Sequence, residues 1–393
     1  MSANINLPRI LRVGAGASHE LAATLGQLGV SRPLLVTDPF MQQCGYADRV
    51  LTALDAAKIP CGLFADCVPD PTTDSVTRGL AALAQGQYDC LVALGGGSSI
   101  DTAKAVAVMA ERDGPMRDYK VPTQVDSGLP VIAIPTTAGT GSEATRAAVI
   151  TDSETSEKML CMGLGFMPVA ALVDFELTLS MPYRLTADTG IDSLCHALEA
   201  YVSRKANPFT DGVALSAMAT IYRNIRTACA QPDNRAAREA MMLAATQGGI
   251  AFSNASVTLI HGMSRPIGGL FHVPHGLSNA MLLPEVTAWS VAAEPVRYAE
   301  AARAMGLAEE GDAEGVALAK LTEGLRQLNA DLSVPTPQEY GIAPDQWHGS
   351  LALMAEQALA SGSPANNPRV PTAEDIVELY QRVWTGQGSD NFG

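Results

Sequence analysis

An apolar run passes directly into a glycine-rich turn at residues 91–104, which read Leu91-Val92-Ala93-Leu94-Gly95-Gly96-Gly97-Ser98-Ser99-Ile100-Asp101-Thr102-Ala103-Lys104. The run is apolar at every position, as is typical of a parallel strand that is covered on both faces. Backbone N–H groups in such a turn, together with the N-terminus of a following helix, can hold a pyrophosphate. The segment therefore predicts a strand, a phosphate-binding turn and a helix in series.

The pattern of residues along the chain changes near residue 180. Before it, apolar runs at residues 34–37, 61–68, 90–94 and 131–134 alternate with helical patterns, which predicts a parallel sheet with helical crossovers. After it, alanine, leucine, methionine and glutamate dominate long segments such as 211–225, 236–247 and 294–305, which favours helix. We predict an α/β dinucleotide-binding domain at residues 1–180 and an all-α, metal-binding domain at 181–393, with a loosely ordered tail after Thr385.

Size, charge and cysteine content argue against several classes of protein. The 393 residues exceed what one core usually fills. A net charge of -15 argues against nucleic acid or an anionic membrane as a partner. Seven cysteines without Cys-x-x-Cys spacing indicate neither a disulfide framework nor a thiolate zinc site. The N-terminus lacks a signal-like pattern, and no apolar run approaches about 18 residues, so we expect a cytoplasmic protein that does not span a membrane.

A second polar loop follows the apolar run at residues 131–134 and reads Pro135-Thr136-Thr137-Ala138-Gly139-Thr140-Gly141-Ser142-Glu143. Two such loops at the carboxyl ends of strands favour a nucleotide cleft of the doubly wound type, although the spacing is not the usual Gly-x-Gly-x-x-Gly. Asp38 ends the run at residues 34–37. Its carboxylate could accept hydrogen bonds from ribose hydroxyls and would repel a 2′-phosphate, which favours NAD over NADP; a turn-forming aspartate is the alternative. The predicted cofactor contacts are Asp38, Gly95, Gly96, Gly97, Ser98, Thr136, Thr137 and Thr140.

One carboxylate and three imidazoles form a candidate metal site in the second half of the chain. Asp192 and His196 are four residues apart and share one face of a predicted helix, and His261 and His275 follow. Four of the six histidines fall within residues 196–275, so the set predicts one divalent ion bound by all four residues rather than four separate core positions. Carboxylate and imidazole suit both Fe(II) and Zn(II). We interpret the neighbouring Cys195 as a packing residue.

Together these residues resemble the iron-containing (group III) alcohol dehydrogenases over almost the whole chain. The resemblance is strongest at residues 95–98 with Asp101 and Lys104, at 134–143, at 188–203 with Asn207-Pro208, and at 261–279. It implies an iron-containing alcohol dehydrogenase fold of the dehydroquinate synthase-like type, the four metal ligands above, and a ribose contact at Asp38. It also implies that Lys158 lines the cofactor with the glycine turn, and that the enzyme uses Fe(II) and NAD, acts on a small alcohol or aldehyde, and forms a homodimer or larger homo-oligomer.

The chain departs from the family's pattern beside the third ligand. Many relatives carry His-Gly-Met-x-His-Pro, whereas this chain reads His261-Gly262-Met263-Ser264-Arg265-Pro266, and it has Ser256-Val257-Thr258 where Ser-Leu-Gly is common. Arginine keeps its proton near neutral pH and cannot replace a histidine proton shuttle, so His272 is the nearest candidate. If Arg265 faces the site, its guanidinium could hold a carboxylate, sulfonate or phosphonate of the substrate. A surface or cofactor-phosphate contact is the alternative.

Other functions occur on similar scaffolds. A dehydroquinate synthase-like lyase needs several cationic residues for a phosphorylated substrate, and residues 261–275 offer only Arg265. Maleylacetate reductases and glycerol dehydrogenases are nearer neighbours, but the former usually lack a full metal set. A non-catalytic nucleotide-binding protein would bind nucleotide without metal. The sequence therefore favours a metal-dependent, NAD(H)-linked alcohol dehydrogenase or aldehyde reductase.

Overall fold

The computed structural model describes residues 2–386, and these divide into two units, one of residues 4–181 and one of residues 2–3 and 182–386. The predicted tail after Thr385 lies almost wholly outside the described residues. Each unit has its own secondary structure.

A six-stranded parallel sheet organises residues 4–181. The strands of this unit are β1 (Ile10–Val13), β2 (Pro33–Val36), β3 (Gly62–Phe64), β4 (Cys90–Gly95), β5 (Val131–Pro135), β6 (Ala147–Thr151), β7 (Lys158–Met162) and β8 (Ala170–Val173). The sheet has the order β1-β8-β5-β4-β2-β3, while β6 and β7 form a separate antiparallel pair. The predicted parallel sheet is confirmed. The strand predicted at residues 61–68 is shorter than expected, because β3 pairs with β2 over only three residues. Beyond β3, Cys67 N–H donates a hydrogen bond to the backbone oxygen of Thr37.

Helices cover both faces of this sheet. They are α1 (Leu21–Leu28), α2 (Pro39–Gln43), α3 (Tyr46–Ala56), α4 (Thr73–Leu83) and α5 (Gly97–Met109). Alternate side chains of β4 enter two hydrophobic clusters, with Leu91 and Ala93 on one side and Val92 and Leu94 on the other. This explains why β4 is apolar at every position. Because β4 is central, it places the glycine turn and the start of α5 at the middle of the sheet's carboxyl edge.

The second unit is helical throughout its described residues. Its helices are α6 (Tyr183–Val202), α7 (Pro208–Ala230), α8 (Arg235–Asn254), α9 (Leu259–Phe271), α10 (His275–Ser290), α11 (Pro295–Ala304), α12 (Glu314–Asp331), α13 (Pro337–Tyr340), α14 (Pro344–Ala360) and α15 (Ala373–Thr385). The predicted all-α region is confirmed. Helix α6 packs against α7, α8 and α10, and nearly all of its residues after Thr186 are buried. Among residues 2–386, no helix is both long and apolar enough to cross a membrane.

Candidate functional site

The four predicted metal ligands meet within the helical unit. Asp192 and His196 lie one turn apart on α6, His261 lies on α9, and His275 is the first residue of α10. One donor atom from each residue falls in a group whose members all lie within 4.8 Å of one another. The Asp192 Oδ1 atom is 3.4 Å from His261 Nε2, 3.7 Å from His275 Nε2 and 3.9 Å from His196 Nε2. Two ligands of one tetrahedral ion lie about 3.4 Å apart, so the donor set fits a single divalent metal.

Burial and neighbouring charges shift the pKa values of these residues. Burial lowers the pKa of His196 to about 4, so its ring is neutral at pH 7 and has a lone pair to offer. Burial alone would raise the pKa of Asp192, but the neighbouring His196 and His275 hold it well below its usual range. Although burial lowers the pKa of His261, two neighbouring carboxylates raise it to about 9, so a metal that binds there would release the extra proton. The His196 ring stacks on Phe252 with 4.3 Å between the ring centroids. The His275 side chain is 46% exposed, so the donor group opens to solvent beside it.

Two buried residues that the sequence analysis missed contact these ligands. A carboxylate oxygen of Glu199 faces His261 Nδ1. The Asn279 Nδ2 atom donates to Asp192 Oδ1 at 2.6 Å and lies 3.1 Å from His261 Nε2. Glu199 is seven residues after Asp192, and Asn279 is four residues after His275. The helical spacing that indicated the ligands would therefore have placed both residues on the same faces.

The two predicted catalytic residues, His272 and Arg265, lie in different environments. His272 follows the last residue of α9, is exposed, and has a left-handed backbone with φ 55°; it is outside the group of donor atoms. Arg265 lies one turn after His261 and is half-buried, and its side chain makes no hydrogen bond or ion pair with residues 2–386. Burial lowers the pKa of Arg265, but an arginine still keeps its proton near pH 7. Cys195 is buried, and its thiol contacts the backbone oxygen of Asn279 at 4.0 Å, which agrees with a packing role.

The two predicted cofactor loops of the first unit lie against each other. They carry Gly95, Gly96, Gly97, Ser98, Thr136, Thr137 and Thr140. A Cβ atom added at Gly97 would lie only 2.9 Å from the Thr140 side chain, and one added at Gly96 would lie 3.3 Å from Thr137. Residues 96–98 at the start of α5 are only half-buried, so a ligand can reach their backbone. This is the arrangement that a bound pyrophosphate requires.

Asp38 and Lys158 have protein partners of their own. Asp38 caps α2, and its second carboxylate oxygen accepts a hydrogen bond from Ser99 Oγ at 3.1 Å. Asp38 is therefore close to the glycine turn, as a ribose-binding carboxylate would have to be. Lys158 begins β7 and pairs with Asp70 at 3.1 Å.

A fully buried lysine connects the glycine-turn helix to the second loop. Lys104 Nζ donates to Ser142 Oγ at 2.9 Å, to both oxygens of Thr145 at 3.0 and 3.1 Å, and to Ala147 O at 2.8 Å. It also lies 3.7 Å from Asp101. Burial lowers the pKa of Lys104 to about 8, and Asp101 opposes that shift. The buried cation thus holds the second loop against α5.

Known families match both units. Residues 8–175 match the family described as iron-containing alcohol dehydrogenase, and residues 186–384 match the C-terminal region of the Fe-containing alcohol dehydrogenase family. The chain belongs to the iron-containing alcohol dehydrogenase family. It is an oxidoreductase of that class, and the fold expected from the resemblance is confirmed.

Individual relatives match along nearly their whole length. The NAD-dependent methanol dehydrogenase of Bacillus methanolicus is 36% identical over 97% of this chain and 99% of that protein. A crystal structure of 1,3-propanediol oxidoreductase has a TM-score of 0.94 at 34% identity and covers 98% of this chain and 100% of that one. The sulfoacetaldehyde reductase of Bifidobacterium kashiwanohense, solved with NAD+, has a TM-score of 0.89 at 28% identity, with coverage of 98% and 100%. These matches do not favour the lyase or the non-catalytic binding protein.

Proposed function

We propose that this alcohol dehydrogenase holds one Fe(II) ion through Asp192, His196, His261 and His275 and transfers a hydride between NAD(H) and a short alcohol or aldehyde. The observation that carries the proposal is the convergence of four donor atoms within 4.8 Å. Zn(II) suits the same donors, and membership of an iron-containing family favours iron. The dependence of the methanol dehydrogenase on NAD and the NAD+ in the sulfoacetaldehyde reductase support NAD as the cofactor.

The residues of the helical unit prepare the site. A metal held there supplies Lewis acidity toward the oxygen of an alcohol or aldehyde. Asp192 contributes the single negative charge of the ligand set, and neutral imidazoles complete it. Phe252 limits rotation of the His196 ring by stacking on it. The exposed side of His275 leaves room for a substrate to approach the ligands.

Residues of the first unit bind the cofactor. NAD supplies the hydride acceptor or donor. We assign the backbone amides at the start of α5 to the pyrophosphate, since a helix N-terminus favours negative charge. We assign Asp38 to the adenosine ribose, where its charge would repel a 2′-phosphate. Lys158 lines the cofactor if it exchanges its ion pair with Asp70 for a contact with the nucleotide.

The metal site is tested by loading the enzyme anaerobically with Fe(II) and following NADH consumption with propanal. Chelator-treated and Zn(II)-loaded samples are run beside it, and bound metal is measured by elemental analysis. His275→Ala should lose bound metal and turnover together, because it removes one of the four donors. His348→Ala is the matched control, since His348 is an exposed histidine of the same unit that packs on Trp384. Full turnover in metal-free protein would contradict the proposal.

We also propose that the substrate carries an anionic group, which Arg265 holds. Arg265 is half-buried and makes no hydrogen bond or ion pair within residues 2–386. Glu199 attracts its charge from a distance, so the guanidinium N–H groups remain available to an anion. It lies one helical turn from a metal ligand, and residues with that spacing have Cβ atoms about 5–6 Å apart. An aldehyde with a carboxylate or sulfonate one or two carbons away is the class of substrate that we propose. The relative that reduces sulfoacetaldehyde handles such a molecule.

The anion proposal is tested with a matched pair of short aldehydes, sulfoacetaldehyde and propanal. Charge-assisted hydrogen bonds contribute about 1.5–3 kcal/mol, so Arg265→Gln should lower kcat/KM for sulfoacetaldehyde roughly 10- to 150-fold and leave propanal nearly unchanged. Arg226→Gln removes an arginine that already pairs with Asp331 at 2.7 Å and is the control. An unchanged ratio of the two activities would rule out the anion clamp, while turnover of neither aldehyde would count against the dehydrogenase proposal itself.

We propose three further properties of the enzyme. His272 relays a proton to solvent. Its exposed position between α9 and α10, the helices that carry His261 and His275, supports this role. His272→Ala should therefore change the pH profile of kcat. The enzyme is cytoplasmic, which the seven free cysteines support. It forms a homo-oligomer, as the family resemblance implies, and a mass measurement in solution tests this.

A further inference from the structure

We infer that Glu199 is a positioning residue of the metal centre, which holds His261 in the one tautomer that presents Nε2 to the metal. The inference rests on the proposed metal site and adds a residue that is not itself a ligand. Glu199 is 1% exposed, and its Oε2 atom is in short contact with His261 Nδ1. It lies on α6, as Asp192 and His196 do, so one helix carries two ligands and the group that orients a third.

Three donors fix the other carboxylate oxygen of Glu199. Its Oε1 atom accepts hydrogen bonds from Ile260 N–H at 2.7 Å, His261 N–H at 3.3 Å and Thr258 Oγ1 at 2.9 Å. Thr258 makes no side-chain cap of its own, so Glu199 caps the first turn of α9 from the neighbouring helix. Because the two backbone donors cannot rotate, they hold Oε1 and leave Oε2 directed at the imidazole.

The donor and acceptor roles in the hydrogen bond between Glu199 and His261 select the tautomer of His261. A carboxylate only accepts hydrogen bonds, and an imidazole that binds a metal carries one N–H. The N–H must therefore be on Nδ1, which leaves the lone pair on Nε2, the nitrogen that lies 3.4 Å from Asp192 Oδ1. A carboxylate that orients a metal-binding histidine in this way also raises its basicity. His196 lacks such a partner, since its buried Nδ1 has no hydrogen bond in residues 2–386.

Glu199→Gln separates this role from packing, because glutamine has nearly the same shape. If its amide oxygen remains on the α9 backbone donors, its NH2 group faces His261 Nδ1 and forces the proton onto Nε2. If the amide turns around, its NH2 group faces Ile260 N–H, a fixed donor. Glutamine can satisfy only one side, so either the ligand nitrogen is blocked or the helix cap is lost.

The experiment measures Zn(II) and Fe(II) affinity of the full-length protein by competition with a chelator. Loss of an outer partner of a metal-binding histidine weakens metal binding about 10- to 100-fold, and we expect Glu199→Gln to fall in that range. The control is Glu285→Gln, which neutralises another buried carboxylate of the same unit that pairs with Arg326 at 3.2 Å; its metal affinity should be unchanged. Glu199→Gln with metal affinity within twofold of the wild type and unchanged hydrogen exchange at Ile260 N–H would overturn the inference, because neither consequence of the substitution would then be seen.

A spectroscopic readout distinguishes positioning from support of the fold. Nitrogen-15 spectra of the Zn(II)-loaded wild type should show His261 with its proton on Nδ1 and metal on Nε2; the reverse arrangement overturns the inference. This measurement needs no variant, so it decides the matter even if Glu199→Gln does not fold. Wild-type protein that binds no metal would instead defeat the proposed function, and the two failures are thereby distinguished.

Discussion

Replacing Lys104 with methionine should destabilise the second cofactor loop by about 3–5 kcal/mol, the usual cost of breaking a buried ion pair. Methionine preserves volume but removes every hydrogen bond of the fully buried Nζ atom. The carbonyl oxygens of Thr145 and Ala147 each lose a donor, and an unsatisfied buried acceptor costs about 1–3 kcal/mol. Asp101 also loses the cation that lies 3.7 Å away.

The effect should depend on pH through Asp101. Burial raises the pKa of Asp101, and Lys104 opposes that shift; without Lys104 the pKa rises further. A carboxyl group with a raised folded-state pKa stabilises below its unfolded pKa and loses that contribution as the pH rises through the folded value. The deficit of Lys104→Met should therefore be larger at pH 7.5 than at pH 5.5. Adding Asp101→Asn should recover part of it at pH 7.5.

Native-state hydrogen exchange of residues 142–149 measures this loss, because it reports local opening. The Val149 N–H donates to Asp101 Oδ2 at 2.9 Å and should lose at least about 100-fold protection, as expected for about 3 kcal/mol. The control is Lys120→Met, since Lys120 pairs with Glu157 at 2.7 Å at the surface, where a salt bridge contributes about 0–1 kcal/mol. Protection within threefold of the wild type in Lys104→Met would refute the reasoning.

Two smaller substitutions test the cofactor and metal sites separately. Gly97→Ala places a Cβ atom 2.9 Å from Thr140, and such overpacking costs about 1–3 kcal/mol, so the Kd for NAD should rise about tenfold in calorimetry. Gly26→Ala is the control, because a Cβ atom added at Gly26 meets nothing within 4 Å. A change in the Kd of this variant for NAD would undermine the steric explanation. Phe252→Leu removes the stack on His196, a contact that contributes about 0.5–1.5 kcal/mol, and should weaken Zn(II) binding about 2- to 10-fold. Equal affinity would show that the stack does not hold the ring.

The apolar runs that form β2, β4 and β5 could be predicted from the sequence, whereas β1, β8 and the β6–β7 pair were missed. Strand β4 is apolar at every position because both of its faces are covered. Strand β1 lies at the sheet edge, where Leu11 and Val13 are exposed, so its four residues give only a short signal. The β6–β7 pair was also missed, because its residues alternate between buried and exposed rather than forming an apolar run.

The metal cluster could be predicted only in part for a similar reason. Asp192 and His196 are connected by helical spacing, which a sequence shows directly. The contact between Glu199 and His261 joins positions 62 residues apart and depends on α9 lying across α6. No local pattern encodes that crossing. The positioning role of Glu199 follows from its hydrogen bonds, which only the structure shows.

Helix α9 carries both the metal ligand His261 and Arg265. Glu199 holds the first turn of α9, and Tyr380 donates a hydrogen bond to Met263 O at 2.7 Å near its middle. Arg265 therefore projects from a helix whose position is set by the same carboxylate that orients His261. A clamp on such a helix is preorganised and loses less entropy when it binds an anion than one on a mobile loop. If Arg265 is the proposed clamp, the anionic group of the substrate must lie at a fixed distance from its reacting oxygen, and selectivity should depend on that spacing as well as on charge.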